Sequence, residues 1–364
     1  MTTPIGDNVV VIDYDDDFVK AGYCIPERDP QVVLPSAVRS PGSSHVARPI
    51  HRRQVQDWDQ LETLLANVFY KELGWIVGDE GAVLMSEPLF TSRADRERHC
   101  QMMFESFNVS GYYVEQSPVL ALYGMGKTLG VSVDVGYCVT DVAPVIDGAV
   151  AHHAARRCEV GSKEVTNVLL NSFGDKHQNL TEAELDAVRD AVCVVMASCS
   201  TTDTAETPPS ASYALPDGNT ITVGGEARAR CAEGLLSGSN GGSANSPNSH
   251  GGVSDALISA IGACAYEHRL ACIDAIAVSG GWAGGAGRKA GFEERVVADL
   301  AAASPPSARP VAAGTPEHMP PNASRYSAWF GGALLGKVVF PLNHHVTKFE
   351  YQENGPGIVT KAGR

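Results

Sequence analysis

The chain has 364 residues, 44% of them apolar and 19% charged, with a formal net charge of −14 and a pI near 5.2. That length suits about two domains of ordinary globular composition and excludes a fibrous or disordered chain. The acidity argues against direct nucleic-acid binding and against an anionic membrane surface as partner.

The opening MTTPIGDNVV has neither the basic start nor the apolar run of a secretory signal. VVVID (9–13) reads as a buried strand. It runs through Tyr14 into Asp15, Asp16 and Asp17, and FVKAGY (18–23) returns as a second strand after a tight turn. Between Pro35 and Trp58 lie a short polar connector, RSPGSSH, and a basic spot, IHRRQ (50–54). The basic spot is expected on a solvated face or against an acidic partner. WDQLETLLANVFYKELGW (58–75) sets Leu61, Leu64, Leu65, Val68 and Phe69 on one helical stripe. SRADRERHCQMMFESF (92–107) opens on a capping Thr91 or Ser92 and turns apolar at Met102, Met103 and Phe107.

GVSVDVGYCVTDVAPVIDG (130–148) repeats the strand–Asp–turn–strand unit, which suggests two related lobes. LTEAELDAVRDAVCVVMAS (180–198) starts on a capping box, Thr181 with Glu184. Strand pairs alternating with helices give an α/β architecture. Segments 199–213 and 237–255 are rich in Ser, Gly, Asn, Thr and Pro, and are expected to be surface loops or locally disordered. ALPDGNTITVGGEARARC between them reads as a turn and strand pair. The nine cysteines include no CxxC pair and read as reduced thiols of a cytosolic or nuclear protein. Cys264, His268 and Cys272 stand at i, i+4 and i+8 of an expected helix. At 1.5 Å per residue the ends of that stripe would lie about 12 Å apart, too far to close a tetrahedral metal site. His152-His153 and His344-His345 are isolated pairs and suggest no metal either. AWFGGALLGKVVFPL (328–342) is too short to span a bilayer.

The acidic cluster admits three readings. A calcium loop beginning at Asp13 would need Gly at its sixth position and Glu at its twelfth, where Phe18 and Cys24 stand. A phosphatase of the haloacid-dehalogenase type would use Asp13 as nucleophile and Asp15 as general acid near Mg²⁺. The rest of such a site is not clear later in the chain, and FVKAGY returns as a hairpin instead of crossing over through a helix.

The third reading takes the whole pattern. Asp13, Lys20, Ala21 and Gly22 resemble the first phosphate-binding hairpin of the actin family, DNGSGxxKAG, and VDVGYCVTDVAPVIDG (133–148) resembles the second. YYVEQSPVLALYGMGKTLG (112–130), YALPDGNTITVGGEARARC (213–231), IAVSGGWAG (276–284), SRYSAWFGGALLGKVVF (324–340) and EYQENGPGIV (350–359) are similar to further stretches of that family, in its order. The resemblance implies an actin fold: duplicated RNase-H-like lobes, about 1–125 plus 327–364 and about 126–326, with a reduced second subdomain.

In that family Mg-ATP is held between the lobes by backbone N–H groups of the two hairpins, which needs glycine. Here Asp15, Asp16 and Asp17 replace Gly-Ser-Gly. Each like-charge pair of phosphate and carboxylate would cost on the order of 1 to 4 kcal/mol at 4 Å. In the second hairpin Asp134, Gly136, Val139 and Thr140 remain, but Tyr137 and Cys138 replace Asp-Gly. Ser117 stands at the family's water-orienting glutamine, with Gln116 adjacent. On the adenine side Arg189-Asp190 replace Lys-Glu, Ser279, Gly280 and Gly281 keep the adenosine loop, and Arg325 replaces a lysine; Trp282 and Gly285 depart from the family.

The expectation is a degenerate nucleotide cleft with no catalytic residues, no metal and no resident cofactor, leaving room for weak ATP or ADP binding. The loop that inserts into the next filament subunit is missing, so no homofilament is expected. The expected role is a non-catalytic structural or adaptor subunit in a hetero-complex, placed first in a cytoplasmic cytoskeletal assembly such as an axonemal or dynein-linked one. A nuclear subunit of a chromatin-remodelling complex, and a slow ATPase or nucleotide switch, are the alternatives.

Overall fold

The computed structural model describes residues 8–39, 46–174, 180–196, 207–237, 249–282, 291–320 and 323–362. The chain divides into two compact units, Met1–Thr128 with Thr315–Arg364, and Leu129–Gly314.

The first unit is built on a six-stranded sheet in the order Val346–Thr347, Gly111–Gln116, Ala82–Glu87, Val9–Tyr14, Phe18–Tyr23, Val32–Pro35. Val9–Tyr14 runs parallel to Ala82–Glu87 and antiparallel to Phe18–Tyr23. Every residue of Val9–Tyr14 and Ala82–Glu87 is buried, which is why VVVID is an unbroken apolar run and does not alternate. The pleat divides it between two cores. Val10, Ile12 and Tyr14 join Leu61, Leu65, Phe69, Met103 and Phe107 on one face. Val9 and Val11 join Leu120, Trp329, Phe330 and Phe340 on the other. Helices Ser117–Gly124 and Ser327–Val339 approach backbone to backbone. A Cβ on Gly331 would stand 1.8 Å from the Leu120 carbonyl oxygen, so the Gly-Gly of AWFGG is a packing requirement.

The second unit repeats the plan: Ser249–His250, Arg156–Cys158, Thr140–Ile146, Gly130–Val135, Ile276–Ser279. Gly130–Val135 is antiparallel to the strand after its turn and parallel to a strand far downstream. The expected helices form, with local differences. The stripe beginning at Trp58 is α-helical to Ala66 and widens to a π-helix over Asn67–Glu72. Ser92 is the cap, its hydroxyl accepting from the Asp95 amide, and Thr181 and Glu184 close the capping box. The loop expectations fail in part. Residues 199–206 and 238–248 lie outside the described residues, but Ala211–Ala214 pairs with Thr220–Val223, Ser249–His250 is a strand, and Val253 opens a helix. The helix expected through Cys264, His268 and Cys272 is two helices, Val253–Ala263 and Tyr266–Ile273.

A buried histidine makes the first unit sensitive to acid. His99 Nδ1 lies 2.9 Å from the Asp95 carbonyl and therefore carries the proton; Nε2 accepts from the Tyr14 hydroxyl at 3.0 Å. Trp58 closes the site edge-on. Burial lowers the His99 pKa from 6.5 to about 4, with the Asp95 carbonyl and charge opposing. Between those values the unfolded chain binds a proton that the folded chain refuses. The stabilisation is complete above about pH 6.5 and is lost as pH falls towards 4, amounting to about 2 kcal/mol by pH 5. Urea unfolding at pH 7 and pH 5 should show that loss in the native chain and a clearly smaller one in His99→Gln.

Candidate functional site

The sequence-designated residues fall into a group around each hairpin, with Ser117 and Arg325 elsewhere in the first unit. In the first hairpin Asp13 faces Lys20 across the strands, carboxylate to ammonium 2.8 Å. The turn closes with the Asp15 amide on the Phe18 carbonyl at 3.0 Å, and the Asp16 amide is taken by the Asp15 carboxylate at 2.7 Å. Two of the turn's N–H groups are thus satisfied inside the turn.

The carboxylates do not stand open to solvent as a bare negative cluster. Ser36, fully buried, donates its hydroxyl to the Asp15 carbonyl at 2.6 Å and its amide to the Asp17 carbonyl at 2.7 Å. The Arg53 amide donates to Asp16 Oδ1 at 3.1 Å, and its guanidinium reaches Asp15 Oδ2 at 3.4 Å. Arg53 is 5% exposed, whereas His51 and Arg52 are exposed. The expectation that IHRRQ is a solvated or partner-facing spot is therefore corrected at Arg53: it is the buried counter-ion of the acidic turn. Arg52 and Arg53 sit at φ of 54° and 59° in the tight turn between Ile50–His51 and Gln54–Val55. Asn or Gly is usual there, and each other residue costs about 1–2 kcal/mol. That strain is retained where it points the Arg53 amide at Asp16.

The two acids are driven apart. Burial pushes Asp15 up, but Arg53, Lys20 and the Asp16 amide outweigh it and hold Asp15 below the usual carboxylate value. Burial and then the Asp15 charge push Asp16 up. Asp16 Oδ2 is buried with no hydrogen-bond partner, consistent with an acid that ionises reluctantly.

In the second hairpin the Gly136 amide closes the turn on the Val139 carbonyl at 3.0 Å. The carbonyls of Gly136 and Tyr137 accept from the amides of Ser162 and Lys163 at 3.0 and 2.9 Å. Two of the N-terminal donors of helix Ser162–Ser172 are thereby spent on the turn. A Cβ on Gly161 would stand 2.3 Å from the Tyr137 carbonyl, so only glycine permits the contact. Tyr137 is 6% exposed and donates its hydroxyl to Glu182.

Half-buried Asp134 pairs in register with Ser279, and Gly280, at φ 110°, packs its Cα on the Val135 backbone. Gly281 follows Gly280 directly. Ser279 is 2% exposed and its hydroxyl has no hydrogen-bond partner. Arg189 is buried and held by Asp186 and Asp190, both at 2.8 Å, and by the Thr166 hydroxyl at 3.0 Å. Trp282 is buried edge-on to Phe292, and Gly285 lies outside the described residues. In the first unit Ser117 is the buried first residue of helix Ser117–Gly124, after Gln116 as N-cap, and Arg325 lies over the Tyr326 ring at 5.5 Å. Sequence reasoning passed over Ser36, whose only signal is a small polar residue after an edge strand.

These two hairpins, each with a third antiparallel strand on one side and a parallel strand on the other, define an actin-like α/β protein. The sequence profile of the family described as Actin matches residues 6–363. Actin-related protein 7 of rice (Oryza sativa subsp. indica) is 35% identical over 97% of this chain and 98% of its own. Actin-related protein 7 of Arabidopsis thaliana is 35% identical over 96% of this chain and 98% of its own. The chain belongs to the actin family, as a divergent actin-related member.

Removing Arg53 leaves Asp15 charged in a site with little water. Arg53→Ala should lower the unfolding free energy by about 3 kcal/mol, and adding Asp15→Asn should return part of that loss. Urea denaturation of the single and double variants measures both.

Proposed function

We propose that this chain is a non-catalytic adaptor subunit, built into a larger assembly through protein contacts, and that its nucleotide cleft no longer grips a triphosphate. The observation that carries this is the first turn. The donors the family offers to phosphate are occupied internally at Asp15 and Asp16, and the glycines that allow close approach are aspartates. Neutralisation by Arg53 fixes the carboxylates in place; it does not clear them. Arg189, tied to Asp186, Asp190 and Thr166, has the character of a packing residue on this reading, as do Tyr137 and Trp282. The residues present therefore do not suit Mg-ATP, and no hydrolytic step is assigned to them.

The segment between Pro35 and Trp58 holds two short ribbons, Val38–Arg39 with Val46–Ala47 and Ile50–His51 with Gln54–Val55. The second serves the acidic turn, which supports a brace here in place of a filament contact. A cytoskeletal assembly and a nuclear chromatin-remodelling complex both suit such a subunit. The relatives reported above bear the name actin-related protein, not actin, and this supports the adaptor role common to both placements.

Calorimetric titration with Mg-ATP and Mg-ADP should show no binding at millimolar nucleotide. Asp15→Gly/Asp16→Ser/Asp17→Gly should gain affinity; micromolar affinity in the native chain would instead favour the nucleotide-switch alternative. Affinity purification of the tagged full chain should recover stoichiometric partners, and the purified chain should stay in the supernatant under conditions that sediment actin filaments. Chromatin-remodelling subunits among the partners would assign the nucleus, and axonemal or motor proteins the cytoskeleton.

A further inference from the structure

Two aliphatic side chains stand in water at a place the fold holds still. Ile76 and Val77 are 70% and 82% exposed, the two most exposed large aliphatic side chains among the described residues. They lie in the connection between the π-helix Asn67–Glu72 and the strand Ala82–Glu87. Single exposed aliphatics are ordinary on a protein surface. This pair is adjacent in the chain, and its backbone is fixed at both ends.

Before the pair, Gly74 is left-handed at φ 71°, just past the end of the helix. The Trp75 amide then donates back to the Phe69 carbonyl at 2.9 Å, and the buried Trp75 ring stacks flat on Phe69, centroids 4.4 Å apart. After the pair, the Asp79 amide donates to the Ile76 carbonyl at 3.0 Å and closes a four-residue turn. Gly78 is left-handed at φ 95° while Val77 is not, which makes this a type II turn with Val77 and Gly78 at its corners. The Gly78 amide donates to Glu80 Oε1 at 2.9 Å, and buried Glu80 also accepts from the Asn108 side-chain amide at 2.9 Å. The turn is thereby tied to the body of the first unit. A Cβ built on Gly74 or Gly78 would meet no atom within 4 Å, so the turn stands clear of its surroundings on those sides.

We propose that the turn 76–79 is an anchor by which the chain docks on a protein partner, Ile76 and Val77 entering an apolar pocket whose rim carries Lys or Arg. β-Branched side chains are stiff at χ1 and the backbone is already closed, so docking costs little conformational freedom. Exposed Glu72 and Asp79 flank the turn, and Lys71 is paired with Glu72 at 3.9 Å, which leaves the rim negative and selects a basic surround on the partner. A bilayer would select aromatic and basic residues at such a tip, but the exposed residues from 76 to 79 are Ile, Val, Gly and Asp. This inference rests on the adaptor reading above and names the surface that reading lacks.

The test is the tagged full chain with photoreactive p-benzoylphenylalanine in place of Val77, irradiated in the cells that express it and purified under denaturing conditions. The expected result is a cross-link to one other protein, on an apolar peptide flanked by Lys or Arg. Ile76→Ser/Val77→Ser should recover about tenfold less of that protein than the native chain. Its urea midpoint should not move, because neither side chain is buried. Asp79→Lys should also lower recovery, through repulsion at a basic rim. The inference fails if the cross-link goes to a second copy of the chain, to lipid, or to nothing while the native chain recovers stoichiometric partners. It fails equally if the double variant recovers the cross-linked protein undiminished, or if its urea midpoint falls. The adaptor reading survives each of these results. If the native chain recovers no partner at all, both readings fall together.

Discussion

The structure of the first unit turns on one constraint: a strand buried on both faces ends in a cluster of carboxylates. Val9–Tyr14 cannot shift without exposing two cores. The charges at its C-terminal end must therefore be satisfied where they stand. Lys20 answers Asp13 across the hairpin, Arg53 answers the carboxylates of Asp15 and Asp16, and Ser36 holds the backbone carbonyls of Asp15 and Asp17. The short ribbon Ile50–Val55 keeps two left-handed arginines because one of them completes that arrangement.

The second unit shares the arrangement of the hairpin and its two neighbouring strands and meets a different problem. Its turn is Gly136-Tyr137-Cys138, with no excess charge, and its carbonyls dock on a helix N-terminus. A duplicated fold thus carries two differently closed turns. One is locked by ion pairing and the other by backbone hydrogen bonds and a buried tyrosine.

Much of the fold was legible. An uninterrupted apolar strand, a capping box, a helical stripe and a repeated hairpin each arise from neighbours within a few residues, and local spacing records them. The order of motifs carried the family, because matches in sequence support one another. The partner of the acidic turn was not legible. Arg53 and Arg52 are adjacent and chemically identical, yet one is buried and the other exposed. The difference lies in the turn they share, and periodicity does not report it. The helix break at Cys264 was missed for a related reason. ISAIGACAYEHRLAC has the spacing of one helix, and its one glycine, Gly262, lies inside the last turn of the first helix, where a helix also tolerates it.

By itself the sequence determined most of the secondary elements, the duplication, the family and the loss of glycine at the first turn, since these are properties of residue type and near spacing. Only the tertiary structure decided what became of the charge and which of two arginines is a counter-ion. Those outcomes depend on residues brought together across 37 positions at Asp16 and Arg53. Burial then sets the energetics, because a charge removed from water must find its partner within the protein.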